Sequence, residues 1–292
     1  MVQAKPEIKN MARENNSKMD LDVITIRSMH GWSSLNLRDL WKYRELLYFL
    51  VWRDIKVRYK QAVLGIAWAI LLPVVNIVIF TFVFGILLKQ NQGGINYPLL
   101  SAVGLLPWGL FAGALQRCST SLVGNTNLIT KVYFPRLIIP VASVLSGLVD
   151  FGISSLVVFS LVLYYRVPLS WNMLWLLPLT LLVVMTSLAV GLWLSALNVQ
   201  YRDVQHIVPF LVTTWMYASP VAYSASLVTG RILRIVYGLN PMAGVIQGFR
   251  WAIMGGDPPG ELFVVSIIMV LVLLVSGLFY FRRMERTFAD MI

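Results

Sequence analysis

The chain has 292 residues, of which 58% are hydrophobic and only 13% are charged, and its net charge is +11. A soluble domain carries about 25% charged residues, and a soluble globule of this size cannot bury so much apolar surface. The composition therefore excludes a soluble or disordered protein and predicts a polytopic membrane protein. A single cysteine, Cys118, excludes an internal disulfide and multi-cysteine metal sites, and two histidines leave little room for a histidine-based metal centre.

Residues 1–36 form a polar N-terminal extension, to which we assign no role. It contains no apolar run that would act as the core of a signal peptide. In residues 37–61 apolar side chains recur at spacings of three and four, with basic side chains on the other side. The apolar stripe comprises Leu40, Trp41, Leu47, Tyr48, Val51, Trp52, Ile55 and Tyr59. This pattern predicts an amphipathic helix in the inner membrane interface, acting as an anchor and also able to pack on a partner.

Six apolar stretches are long enough to span the membrane, because about 20 mostly apolar residues cross the ~30 Å hydrocarbon core. They are residues 64–88, 98–116, 137–165, 173–197, 207–223 and 262–281. The fifth is short and contains Pro209 and Pro220. We expect each stretch to be a helix, since backbone polar groups in lipid must be satisfied within their own segment. The predicted fold class is an all-α integral membrane protein with six transmembrane helices.

Residues 117–136 form the longest segment between predicted spans on the inner side. Ser119 or Thr120 is a candidate cap for a short helix in it. Residues 132–134, Val-Tyr-Phe, then place apolar bulk beside basic residues. An exposed apolar knob rimmed by charge is typical of a protein contact. Insertion of these residues into the membrane interface is the alternative.

Residues 224–261 lie between the last two predicted spans, on the outer side. They are too apolar for a free loop and too interrupted by glycine and proline to cross the membrane. Asn240 is a candidate helix cap, with Pro241 at the first helical position. We expect one or two short re-entrant helices in the outer leaflet. Such backbone is tolerated only where it packs in protein or lines a cavity, so this region is a candidate outer gate.

The distribution of lysine and arginine predicts the orientation. With the N-terminus in the cytoplasm, 19 basic residues lie on the inner side and 5 on the outer side. Both termini are therefore expected to be cytoplasmic. The basic charge lies where topology and anionic lipid would put it, which disfavours nucleic-acid binding.

Several kinds of chemistry are missing from the sequence. It contains no Gly-Lys pair, hence no phosphate loop, and neither of the HExxH and GxSxG motifs. We therefore expect a transport protein and no enzyme. Asp150 is the only acidic residue well inside a predicted span, whereas a proton- or sodium-coupled carrier would show paired acids there. We expect Asp150 to face the bundle interior in a structural pairing, with a direct role in transport as the alternative.

Three blocks of sequence resemble the membrane subunit of bacterial polysaccharide and polyol-phosphate ABC exporters, which include the O-antigen (Wzm-like), capsule and teichoic-acid exporters. They are residues 43–75, 128–140 and 239–253, and the resemblance covers about residues 30–285. It implies a permease of the bacterial cytoplasmic (inner) membrane that forms a homodimer. It also implies two separate ATPase subunits that bind ATP and Mg, with no cofactor or metal on this chain. The implied cargo is a lipid-linked glycan, usually on undecaprenyl diphosphate.

The resemblance also assigns roles within a transmembrane domain of residues 37–292. Residues 37–61 resemble the interface helix, residues 119–134 the segment that couples to the ATPase, and residues 224–260 the outer gate. The coupling residues are then Asn127, Lys131, Tyr133 and Phe134. The aromatic residues of the implied translocation path are Phe80, Phe84, Trp108, Phe111, Trp215, Tyr217 and Tyr223. Lipid contact or core packing is the alternative for each of these rings.

A basic cluster ahead of the first span offers a place for the diphosphate of the cargo at the inner mouth, because arginine suits bidentate phosphate binding. It comprises Arg53, Lys56, Arg58 and Lys60, for which anchoring to headgroups is an equal alternative. Other functions also stay open: an ABC exporter of teichoic acid, of capsule or of a smaller lipid or drug, a secondary flippase for lipid-linked oligosaccharides, and a membrane-embedded transferase.

Overall fold

The computed structural model describes residues 41–60, 66–87, 96–223, 237–256, 258–285 and 287–288, so the extension 1–36 lies outside the described residues. Every regular element in these ranges is helical, which confirms the all-α class. The helices are α1 (Arg44–Lys60), α2 (Ile66–Phe80), α3 (Tyr97–Gly124), α4 (Thr126–Lys131), α5 (Ile138–Leu145), α6 (Gly147–Tyr164), α7 (Leu176–Gln200), α8 (Val204–Tyr217), α9 (Pro241–Met254) and α10 (Glu261–Glu285). A π-helical stretch, Thr81–Leu87, continues α2, and a 3₁₀ turn, Trp171–Trp175, precedes α7.

Five helical segments of the described residues are long and apolar enough to cross a membrane. They are Ala67–Leu87, Tyr97–Gly124, Ile138–Tyr164, Trp171–Gln200 and Phe263–Glu285. They match five of the six predicted spans. The remaining prediction, 207–223, falls on α8, which has 14 residues, and on the turn that follows it. At 1.5 Å per residue α8 is about 21 Å long, shorter than the hydrocarbon core.

Helix α3 lies at the centre of the bundle, where it packs against α5, α6, α7 and α9. Its apolar stretch is 72% buried, whereas that of α2 is 6% buried. Close packing with α7 depends on Gly191, because a Cβ at this position would come within 2.6 Å of Cys118 Sγ. Small residues at such contacts are typical of membrane helices. The exposed side chains of α2 remain available to lipid or to another chain.

A second apolar cluster joins α1, α5, α7 and α10. Leu50 of α1 is at its centre and is only 2% exposed. Leu47 and Val51 of the predicted apolar stripe also pack against this cluster, whereas Trp41, Tyr48 and Trp52 of that stripe are exposed. The aliphatic side chains of α1 pack into the protein, and the exposed aromatic rings suit the headgroup region of a membrane.

The segment after the second span is more helical than expected. Helix α3 continues to Gly124, so Ser119 and Thr120 lie inside it and do not cap a new helix. Their hydroxyls donate to the carbonyl of Gln116, at 2.8 and 3.3 Å. Because each hydroxyl donates its hydrogen bond to a backbone carbonyl of the preceding turn, these side chains are compatible with a continuous helix. The short helix α4 begins only after Asn125.

Candidate functional site: a cavity between α2, α3 and α6

A cavity of about 670 Å³ is lined by side chains of α2, α3 and α6 and by the C-terminal end of α1. This volume is within the range of ~300–1,000 Å³ for ligand pockets. Most of the lining is apolar and includes Leu72 and Ile77 of α2, Leu105 of α3 and Phe151 of α6. Six polar or charged side chains also line it: Arg58, Tyr59, Asn76, Arg117, Asp150 and Ser154. The cavity is therefore amphipathic, with a charged group of residues beside an apolar wall.

Asp150 is the centre of this charged group. Arg58 donates a hydrogen bond to Oδ2 of Asp150, and the hydroxyl of Tyr59 donates to Oδ1. Nη1 of Arg117 lies 3.6 Å from Oδ2. The expected pairing of Asp150 is thus confirmed. Two guanidinium groups face one carboxylate, so these residues carry one net positive charge.

Tyr59 contributes a neutral donor. Burial, together with the hydrogen bond to Asp150, raises the pKa of Tyr59 to about 12. Its hydroxyl therefore keeps its proton at neutral pH. Tyr59 follows Arg58 directly at the end of α1, so both side chains reach Asp150 from the same turn.

Two glycines make room for Arg117. A Cβ at Gly147 would come within 2.2 Å of Nη2 of Arg117, and one at Gly113 within 3.0 Å of Nη1. Nε of Arg117 lies 3.4 Å from the carbonyl oxygen of Ser143, to which it donates. Nη2 is buried and has no hydrogen-bond partner among the described residues. Arg117 thus lines the cavity and has one donor that the described residues do not satisfy.

Sequence reasoning counted Arg117 only as an inner-side cation. The signal that would have found its position is the pair Gly147 and Asp150. These residues are three apart on α6, so they share a helix face. A glycine one turn before a carboxylate leaves space for a long basic side chain from a neighbouring helix.

The structure does not bring together the four residues predicted for cargo uptake. Arg58 lines the cavity, whereas Lys56 and Lys60 are exposed. Arg53 pairs locally with Asp54 at 2.8 Å.

Three of the aromatic residues predicted for the path pack as a row in the core. The ring centroids of Trp108 and Phe111 are 5.3 Å apart, and those of Phe111 and Trp215 are 5.2 Å apart. Phe111 is fully buried and Trp108 is 4% exposed, although Trp108 also borders the cavity. Within this chain Phe111 is therefore a core-packing residue, which was the alternative to a role in the translocation path.

The other four aromatic residues of the predicted path do not join this row. Phe80 and Phe84 have ring centroids 5.6 Å apart, and Phe80 borders the cavity. Tyr217 is 63% exposed and Tyr223 is half-buried. The seven rings thus do not line a single cavity within one chain.

The predicted coupling residues divide in the same way. Asn127, Lys131 and Tyr133 are exposed on α4 and just after it. Phe134 is buried at 5% exposure and belongs to the cluster around Leu50. The expectation that Phe134 is part of an exposed apolar knob is wrong, because its ring packs into the protein while Tyr133 points outward.

Asn240 joins α8 to α9. It caps α9 as predicted: its Oδ1 accepts from the backbone N–H of Met242 at 3.1 Å, and Pro241 occupies the first helical position. The same oxygen accepts from Nε1 of Trp215 at 3.0 Å. Its amide nitrogen donates to Oγ of Ser219 at 2.9 Å. One side chain thus connects α8, the turn after it and the start of α9.

Arg250 and Tyr97 hold the same turn from its other side. Arg250 donates to the carbonyl oxygens of Val221 and Tyr223, at 3.0 and 2.8 Å. Tyr97 donates to the carbonyl of Ala222 at 2.6 Å. Backbone carbonyls left free after α8 are therefore satisfied by side chains of α9 and α3, as buried backbone groups must be.

The family model described as ABC-2 type transporter matches residues 45–254. The chain is 33% identical over 256 residues to the O-antigen export system permease protein RfbA of Myxococcus xanthus, covering 85% of this chain and 96% of that protein. It is 29% identical over 251 residues to the protein of the same name from Klebsiella pneumoniae, covering 85% and 95% of the two chains. It is 22% identical over 244 residues to the polysialic acid transport protein KpsM of Escherichia coli, covering 80% and 91%.

Proposed function

The chain belongs to the ABC-2 type transporter family, and from this premise we propose that it is the permease subunit of an ATP-driven exporter of a lipid-linked polysaccharide. The observation that carries this proposal is the match, over 80–85% of the chain, to relatives named for the export of O-antigen or polysialic acid. The match covers 96%, 95% and 91% of these three relatives, so it extends over nearly the whole length of each of them. The proposed location is the bacterial cytoplasmic membrane.

ATP hydrolysis would take place on a separate subunit that binds ATP and Mg. The absence of a phosphate loop from this sequence supports such a division of labour. A docking surface for that subunit is available at α4, where Asn127, Lys131 and Tyr133 are exposed. Tyr133 is 73% exposed and offers a large apolar ring that is rimmed by charge.

The assembly would be a homodimer with two ATPase subunits. The exposed length of α2 supports this proposal, because only 6% of its apolar stretch is buried within one chain. The region from α8 to α9 would complete a sixth passage and form the outer gate, with both termini in the cytoplasm. The bonds of Asn240 to Trp215 and Ser219 would make α8 and α9 move together there.

A test of this function is deletion of the gene in its own host. We expect lipid-linked polymer to accumulate at the inner face of the membrane, and expression of the wild-type chain to restore surface polymer. Wild-type levels of surface polymer in the deletion strain would contradict the proposal. The linkage and composition of the accumulated polymer would identify it as O-antigen or as capsule.

A further inference from the structure

The charged residues of the cavity provide more hydrogen-bond donors than the chain satisfies. Arg58 and Arg117 share the single carboxylate of Asp150, and Nη2 of Arg117 is buried with no partner among the described residues. An unsatisfied buried donor on a charged group is costly, and a bound ion or ligand group is one way in which such a donor is satisfied. Asp54, the other nearby acid on α1, is already paired with Arg53.

We propose that this cavity binds a membrane lipid that carries a phosphate, with the phosphate held by Arg58 and Arg117 and the apolar chain lying along α2, α3 and α6. Guanidinium groups match phosphate oxygens in geometry and form charge-assisted bonds to them. The one net positive charge suits a phosphate monoanion, and the hydroxyl of Tyr59 adds a neutral donor. Asp150 holds the two arginines in place and competes with the phosphate for them.

The walls of the cavity indicate a lipid and disfavour a small soluble anion. A phosphate group alone would occupy a small part of about 670 Å³, and most of the remaining lining is apolar. Leu72, Ile77 and Leu105 are among the side chains that an alkyl or polyprenyl chain would contact. Helix α2 borders the cavity, and the part of its exposed surface that no second chain covers gives the lipid access from the bilayer.

Two sources could supply this ligand. One is the polyprenyl anchor of the cargo, and that identification rests on the proposed function. The other is a phospholipid of the surrounding bilayer, and that identification does not depend on the proposed function. Both share the recognised chemistry, a phosphate attached to a long apolar chain.

The test is lipid binding to the purified full-length chain in dodecyl maltoside micelles, which carry no phosphate, measured by native mass spectrometry. The probes are a polyprenyl phosphate, the uncharged polyprenol of the same length, and phosphatidylglycerol. We expect the phosphorylated polyprenol to bind at least tenfold more tightly than the uncharged one. Equal binding of the two would overturn the proposal, because the charged residues would then contribute nothing.

Three substitutions locate the effect. Arg117→Gln should abolish the preference for the phosphorylated lipid, whereas Arg283→Gln, which changes an exposed arginine on α10, should leave it unchanged. Asp150→Asn removes the competing charge with little change of shape and should tighten binding several-fold. If Arg117→Gln does not assemble, the Asp150→Asn variant decides the question: unchanged or weaker binding would overturn the proposal.

The probes also separate this inference from the proposed function. Preferential binding of polyprenyl phosphate over phosphatidylglycerol supports the site as part of the cargo route. Equal binding of both phosphorylated lipids supports the site as a place for a resident bilayer lipid. A deletion strain that still displays polymer would contradict the exporter function and leave the lipid-binding result intact.

Discussion

Arg58, near the C-terminal end of α1, donates a hydrogen bond to the carboxylate of Asp150 in α6, 92 residues further along the chain. The bond ties α1 to α6, which is part of a segment that is long and apolar enough to cross a membrane. Nη2 of Arg58 also lies 3.4 Å from Oγ of Ser146, one turn before Asp150. Any displacement of α1 would therefore change the positions of the charged side chains in the cavity relative to one another.

Breaking this pair should destabilise the protein. Asp150→Ala leaves two arginines without their counter-ion, and since the pair is about one-third exposed, we expect a loss of about 1–3 kcal/mol, between the values for surface and buried pairs. The Arg58→Ala/Asp150→Ala double variant should lose less than the sum of the single variants. Thermal unfolding in detergent measures all three.

The control for this cycle is Asp203→Ala, which removes an exposed aspartate at the start of α8 whose side chain makes no capping bond. It should leave the unfolding temperature unchanged. Strict additivity of the Arg58 and Asp150 substitutions would show that their bond does not contribute to stability.

Gly147 should be intolerant of a side chain. Gly147→Ala places a Cβ 2.2 Å from Nη2 of Arg117, so the guanidinium that faces Asp150 must shift. Overpacking of this kind costs typically ~1–3 kcal/mol. Gly152 is a matched control on the same helix, because a Cβ there meets nothing within 4 Å. Gly152→Ala should be neutral or slightly stabilising in the same unfolding measurement, and equal losses for the two variants would contradict the role of Gly147.

Local chemistry and hydropathy allowed some features to be predicted from the sequence. Five spans follow from apolar length, and the cap at Asn240 follows from the Asn-Pro pair, since both depend on neighbouring residues in the chain. The orientation of side chains around a helix axis did not follow. Leu50 and Phe134 are buried because α1 and the segment after α4 pack against other helices at these positions. That packing is tertiary and does not follow from the local sequence.

The cavity illustrates the same limit. Asp150 could be singled out, because a lone carboxylate in an apolar stretch requires a partner. The identity of its partners could not, since Arg58, Tyr59 and Arg117 lie on two other helices, 33 to 92 residues away in the chain. The extension of α3 to Gly124 was missed because Ser119 and Thr120 resemble a cap in sequence.

Asn240 should be sensitive to truncation. Asn240→Ala removes the cap of α9, which is worth typically ~1 kcal/mol, and also the bonds to Trp215 and Ser219. Trp215→Phe removes only the bond from Nε1 and keeps most of the ring. We expect the alanine variant to unfold at a lower temperature than the phenylalanine variant. The reverse order would show that the ring of Trp215 is more important than the connection through Asn240.

If the region from α8 to α9 is an outer gate, its labelling by membrane-impermeant thiol reagents should depend on the transport state. Leu239, which is 46% exposed, is a suitable position for a single cysteine in a Cys118→Ala background. Val245, which is fully buried on α9, provides the negative control. We expect Leu239→Cys to react at different rates with and without ATP in membranes that contain the ATPase, and equal rates would contradict a gate.

Coupling to the ATPase should depend on Tyr133 and not on Phe134. Tyr133 is 73% exposed next to Lys131, so Tyr133→Ala should weaken co-purification with the ATPase and abolish stimulated hydrolysis without changing the unfolding temperature. Phe134 packs in the cluster around Leu50. Phe134→Ala should therefore destabilise the permease by ~3–5 kcal/mol, the usual cost of truncating a buried phenylalanine.

Because Phe134→Ala affects the fold, only the Tyr133 variant tests coupling directly. Tyr133→Phe keeps the exposed ring and removes the hydroxyl, so it should retain full coupling if the contact is apolar. Thr130→Ala is the control for a change on the same short helix, since the Thr130 hydroxyl bonds only to the backbone carbonyls of Thr126 and Asn127. Normal stimulated hydrolysis in Tyr133→Ala would contradict a role for Tyr133 in coupling and would leave Val132 as the other exposed large apolar side chain in the described residues 117–136.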